Sequence, residues 1–171
     1  MKVMKGIQAR KSAIVGTVSK IAEAISICDS HRENRIIIFD ELQSSANELH
    51  KQLNALGMPA VIYHSGLKNK KDKKAAIQKY VDGEVDIIVS VKALDEGLNV
   101  KDCDIGIVVN GNSQQRQILQ RLGRVLRKKE GKKAELYMLY VPGTIDEKYV
   151  KKRLTYLKPV SWEDESMCGG E

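Results

Sequence analysis

Aromatic side chains make up only 5% of this sequence. A core built from it is therefore aliphatic. Its basic stretches also lack the interleaved aromatics that a base-stacking groove needs. Cysteine is scarce too. Cys28, Cys103 and Cys168 are odd in number and show no metal-ligand spacing. They read as reduced thiols of a cytoplasmic or nuclear protein, and no metal site is expected from them. No stretch approaches 18 uninterrupted apolar residues, and the N-terminus carries no apolar signal region. These absences predict a soluble, non-secreted protein with no membrane partner. Internal repeats and low-complexity linkers are missing as well.

What is present fits one globular domain with a sizeable core: 171 residues, 42% of them hydrophobic. The formal net charge is +7, with a pI near 9.2. That balance favours a polyanionic partner, although charge alone does not separate nucleic acid from a membrane surface.

Periodicity divides the chain into alternating helices and strands. Residues 1–10 form a basic N-terminal segment, with Lys2, Lys5, Arg10 and Lys11 around Gly6. Ile14, Val18, Ile21, Ile25 and Cys28 keep the spacing of an amphipathic helix. Ile36 to Phe39 is a short apolar run, expected for a strand buried on both faces. Ala46, Leu49, Leu53 and Leu56 form a helical stripe that Gly57 ends. Ala60 to Tyr63 reads as a second strand. A lysine-rich helix follows from about Asn69 to Val81, with Ala76, Ile77, Tyr80 and Val81 facing inward and Gly83 closing it. Further strands are expected at Asp86–Val91, Ile105–Val109 and Glu135–Val141. Strands separated by helices predict an α/β fold, a three-layer αβα arrangement with a mainly parallel sheet. Residues 11–157 then form the domain, and 158–171 an acidic, loose tail.

In such a sheet, ligands sit beyond the carboxyl ends of the strands. The turns there are Asp40–Gln43, His64–Leu67, Lys92–Asn99 and Asn110–Ser113. The first imitates a magnesium-binding acidic pair after an apolar strand. That chemistry needs a phosphate loop of the form G-x-x-x-x-G-K-[ST], and the chain contains none. Asp40-Glu41 is therefore expected to be a solvated turn, with Ser44 capping the next helix. His64-Ser65-Gly66 offers a hydroxyl, a glycine and backbone amides, which suit a phosphate without reading a base. His64 itself is expected to be structural. Ser90 ends the third strand, and Gly97 and Asn99 follow in its turn; Asp95-Glu96 between them is expected as a short, solvated helix.

The strongest feature is Gln120-Arg121-Leu122-Gly123-Arg124-Val125-Leu126-Arg127. Read as a helix, it puts Gln120, Arg124 and Arg127 on one face and Ile118, Leu122 and Val125 on another. Gly123 costs about 1 kcal/mol relative to Ala in a helix, so close approach to a ligand or backbone is expected there. Two guanidinium forks aimed the same way match phosphate oxygens. The basic runs Lys68–Lys74 and Arg127–Lys133 read equally as solubilising surface and as salt-dependent phosphate attraction.

Taken in order, Ile38-Phe39 resembles motif IV, Tyr63-His64-Ser65-Gly66 motif IVa, Ser90–Asn99 motif V and Gln120–Arg127 motif VI of superfamily 2 helicases. Over about residues 10–155 the chain resembles their second RecA-like lobe, a P-loop NTPase-type fold lacking the P-loop. The wording of motif VI resembles the DNA-acting branch around type III restriction, excision-repair and phage recombination helicases. It is less similar to the DEAD-box branch, where His usually stands in place of Gln120. The resemblance implies the following roles. Arg124 and Arg127 are arginine fingers that reach ATP on the first lobe, and Gln120 bonds near its γ-phosphate. Arg121 ties the lobes together, and Gly97 and Asn99 touch the nucleotide, Asn99 standing where Asp is commoner. Ser65, Gly66, Ser90 and Lys92 contact nucleic acid. ATP and Mg2+ are held mainly by the first lobe, in cis or in trans. Alone, this chain is expected not to hydrolyse ATP. The alternative is a stand-alone module that binds nucleic acid or regulates another helicase. A doubly wound small-molecule domain also fits the strand pattern but leaves the paired arginines unexplained. A cytoplasmic or nuclear location is expected, with a viral or phage source left open.

Overall fold

The computed structural model describes residues 17–64, 66, 70–91, 103–110 and 134–155, with the side chains at 70–72 and 153 excepted. The basic segment 1–10, the acidic tail 158–171 and the whole of Gln120–Arg127 lie outside the described residues.

Helix α1 covers 17–30. It is followed by β1 (Ile36–Asp40), α2 (Gln43–Ala55), β2 (Ala60–Tyr63), α3 (Lys70–Val81), β3 (Ile87–Val91), β4 (Ile105–Val108), β5 (Glu135–Met138) and α4 (Ile145–Leu154). The strands form one five-stranded sheet in the order β2-β3-β1-β4-β5, and every pairing is parallel. The fold is α/β with a parallel sheet, as the alternation of elements predicts.

Side chains alternate between the two faces. Ile36, Ile38, Ile87, Val89, Ile105 and Ile107 pack with Ile21, Ala24, Ile27 and Cys28 of α1 and Ala46, Leu49 and Leu53 of α2. Ile37, Phe39, Ile88 and Val108 pack on the other face with Tyr80 of α3. Arg35 stacks its guanidinium 4.5 Å from the centre of the Tyr80 ring and donates to the Tyr80 carbonyl. Cys28 and Cys103 are free thiols in this core; burial pushes Cys28 up to about 12 and Cys103 up to about 11.

The helix stripes depart from the periodic pattern at their ends. Val18 is 62% exposed, Leu56 55% and Val81 44%, where each was expected to face inward. A 14-residue helix spans about 21 Å, against about 16 Å for a five-residue strand, so the first turn of α1 overhangs the sheet. At the end of α2, Gly57 takes φ 72°. Met58 N–H donates to the Leu53 carbonyl and Gly57 N–H to that of Asn54. This is a Schellman closure. It brings Met58, 4% exposed, onto the core in place of Leu56. Helix α4 has no counterpart in the periodic reading. Thr144 caps it by accepting the Asp146 N–H, and Glu147 accepts the Gly143 N–H. Thr144-Ile145-Asp146-Glu147 is a legible capping signal. Asp146 also pairs with Lys20 of α1 at 2.7 Å.

Asp40 overturns the expected solvated turn. It is the last residue of β1 and is 2% exposed. Its Oδ1 accepts the Leu42 N–H and the Asn110 amide, each at 2.9 Å. Ser44 does not cap α2 either: the helix begins at Gln43, with Leu42 at the cap position and no side-chain cap bond. The Asp40 Oδ2 has no hydrogen-bond partner among the described residues. Burial raises the carboxyl above its usual range, against the lowering effect of bonds from Ser45, Leu42 and Asn110 and of the Lys20 charge.

Two predictions follow the geometry. Gly57→Ala puts a Cβ on a left-handed backbone and lowers the stability of the chain by about 1 kcal/mol; a urea midpoint equal to that of the parent would refute the strained closure. Asp40→Asn keeps the acceptor oxygen and removes the buried charge. A carboxyl raised in the folded state contributes stability below its unfolded value and loses it as pH rises through the folded value. The melting temperature of Asp40→Asn therefore exceeds the parent's most at neutral pH, and the gap closes toward pH ~4. A gap that widens on acidification would refute the assignment.

Candidate nucleic-acid interface

Because all five strands are parallel, their carboxyl ends lie on one edge of the sheet, and the chain leaves every strand there. The registers Tyr63↔Ser90, Phe39↔Ser90 and Phe39↔Val108 set the turns after β2, β3, β1 and β4 side by side. Asp40, His64, Gly66, Ser90 and Asn110 are thus neighbours along one rim, though far apart in sequence. Of the residues expected to contact nucleic acid or nucleotide, Gly66 and Ser90 are described. Ser65, Lys92, Gly97, Asn99, Gln120, Arg121, Arg124 and Arg127 lie outside the described residues, as do Asp95 and Glu96.

Ser90 is fully buried. It alternates with Val89 and shares the α3-facing side of the sheet with Ile88. Its hydroxyl has no hydrogen-bond partner among the described residues. Leaving such a group unpaired costs roughly 1–3 kcal/mol. Gly66 is exposed, and the reason for its missing side chain is space. A Cβ there would lie 2.0 Å from Nε2 of Gln43 and 3.1 Å from Nδ1 of His64. Gln43, the first residue of α2, places its Nε2 2.6 Å from that same Nδ1. The Gln43 amide donates, so Nδ1 accepts and the ring hydrogen sits on Nε2.

His64 is 7% exposed. Burial lowers it below the usual imidazole range, and the nearby Lys73 and His50 push the same way. Its charged form is disfavoured on a rim that also carries Lys73 of α3. The structural role expected of His64 is seen in its bond to Gln43. Gln43 itself was not legible as a site residue. It lies 21 residues from His64, and no local pattern joins them.

Asp40 does not fit a magnesium ligand. Its Oδ1 is engaged by Leu42 and Asn110, its Oδ2 is enclosed, and its ionised form is disfavoured. Among the described residues, no group of three His, Cys, Asp or Glu is arranged to hold a metal, and no helix is long and apolar enough to cross a membrane. A cleft of about 120 Å³, lined by His31, Arg32, Asn34, Glu84 and Asp86 among others, opens at the opposite, amino edge of the sheet.

Comparison with known proteins agrees with this layout. Over 139 residues, 81% of the chain, it is 34% identical to the DNA 3'-5' translocase XPB2 of Sulfurisphaera tokodaii, covering 30% of that protein. Over 135 residues, 73% of the chain, it is 27% identical to the ATP-dependent DNA helicase fml1 of Schizosaccharomyces pombe, covering 16% of it. The chain therefore spans less than a third of either relative. Among solved structures, the E. coli DEAD-box protein SrmB, bound to regulator of ribonuclease activity A, matches with a TM-score of 0.69 at 20% identity. That match covers 83% of this chain and 81% of SrmB, and it speaks for the fold. The family profile described as the helicase conserved C-terminal domain matches residues 17–129. That span takes in the strands of the rim up to β4 and runs on through Gln120–Arg127, so the chain belongs to the helicase conserved C-terminal domain family, the second RecA-like lobe of superfamily 2 helicases.

Proposed function

We propose that this chain is the second motor lobe of an ATP-dependent helicase or translocase acting on DNA. The observation that supports this most directly is the 34% identity to a DNA translocase over 139 residues, within a family match that includes Arg124 and Arg127. ATP with Mg2+ would be held mainly by a first lobe, in the same polypeptide or a partner, and would supply the hydrolysable phosphoanhydride bond. Arg124 and Arg127 are assigned as fingers that stabilise charge on the transferring phosphoryl group. Gln120 is assigned to the γ-phosphate or the attacking water, and Arg121 to the contact between lobes. Gly97 and Asn99 are assigned to the nucleotide.

Ser65, Gly66, Ser90 and Lys92 are assigned to the nucleic-acid backbone. The register Tyr63↔Ser90, which sets Ser90 beside the turn after β2, supports its part in this. The net charge of +7 adds a long-range, sequence-independent attraction.

The purified chain alone is expected to show no ATP turnover, with or without DNA, and to bind DNA with an affinity that falls steeply as salt rises. Turnover by the chain alone would refute the assignment. Once a first lobe is supplied and turnover restored, Arg127→Ala should lower it by about 10³-fold or more while leaving DNA affinity nearly unchanged. Equal losses of turnover and binding would show that Arg127 is not a finger.

A further inference from the structure

We infer that Gln43 is a positioning residue for His64 and Gly66 in the turn after β2, and through them for a nucleic-acid phosphate contact at Gly66. The inference rests on the reading of that turn as a nucleic-acid contact. Three observations meet at one place. The Gln43 amide lies 2.6 Å from Nδ1 of His64. Gly66 leaves just enough room for that pair, since a Cβ would fall 2.0 Å from the Gln43 Nε2 and 3.1 Å from its Cδ. Leu42, at the cap of α2, supplies no side-chain cap bond, so Gln43 joins the Asp40 node in tying the start of α2 to the rim.

The arrangement works as a wedge. The Gln43 amide fills the space beside Gly66 and reaches the imidazole of His64, so one side chain meets both residues. His64 is enclosed, so its ring cannot turn freely to water. Removing the amide leaves Nδ1 without its donor and the turn without its support. A Cβ at position 66 does the same by another route, because it expels the flexible end of Gln43. Gln43 and Gly66 are both exposed, so neither substitution disturbs the core.

The test is a double-mutant cycle on this chain. Gln43→Ala, Gly66→Ala and the double variant are titrated with fluorescently labelled single-stranded DNA at low salt, and their melting temperatures are recorded. Long-range 1H–15N correlation spectra of the His64 ring provide a readout that does not involve DNA. The expected result is a loss of about fivefold in affinity for each single variant, and no further loss in the double. Melting temperatures should fall by the same few degrees in both single variants, with no further fall in the double. The parent spectrum should show Nδ1 as an unprotonated acceptor, and both single variants should lose that signature alike. Additive losses of about 25-fold in the double, with an unchanged ring spectrum, would overturn the positioning role and leave the turn's contact with DNA standing. A changed ring spectrum with unchanged affinity would instead overturn the reading of the turn as a nucleic-acid contact, and the inference with it.

Discussion

A strand paired on both sides and covered on both faces can place polar groups only at its ends. β1 is such a strand. β3 and β4 flank it in parallel, and every one of its residues is buried. Its four apolar residues satisfy this without cost. Its fifth, Asp40, does not, and the surroundings adapt to it. The Leu42 N–H, the Asn110 amide and the Ser45 hydroxyl converge on one carboxyl group. The carboxyl end of the central strand thereby joins the start of α2 to the end of β4. Removing one partner of such a buried group costs more than the bond itself contributes, which makes this node rigid.

The same constraint shapes the rest of the rim. All five strands are parallel, so five chain exits share one edge. Lys20 and Asp146 hold the beginnings of α1 and α4 together at 2.7 Å. Gln43 and His64 hold the start of α2 to the turn after β2. The rim is thus joined by side-chain bonds between elements, while a cleft of about 120 Å³ opens at the amino edge. A surface held this way can present backbone amides and hydroxyls at fixed positions, which is what recognition of a regular phosphate backbone requires.

Much of this was legible in the residues. Strands β1 to β4 stand within a residue or two of the expected spans, because apolar runs bounded by Gly, Asp and Asn leave little choice of conformation. Gly57 and Gly83 end α2 and α3 as expected, both with φ above 70°, since only glycine takes that conformation cheaply. The ordered motifs led to the family that the comparison then showed. Other features were misread for identifiable reasons. Asp40-Glu41 looked like a polar turn because acidic pairs usually are, yet neighbouring strands extend β1 across Asp40. Leu56 kept the helical period, but the closure at Gly57 brought Met58 inward instead.

The sequence by itself determined the class of fold, the order of the described elements as far as β5, and the family. These follow from local quantities: the period of apolar residues, the conformational freedom of glycine and the spacing of charged side chains. Only the tertiary structure decided the strand order β2-β3-β1-β4-β5, the burial of Asp40 and the pairing of Gln43 with His64 across the space that Gly66 leaves. Those depend on which strand ends become neighbours. Parallel pairing sets neighbours through crossovers, so residues 21 or 70 positions apart share one hydrogen bond that no local pattern encodes.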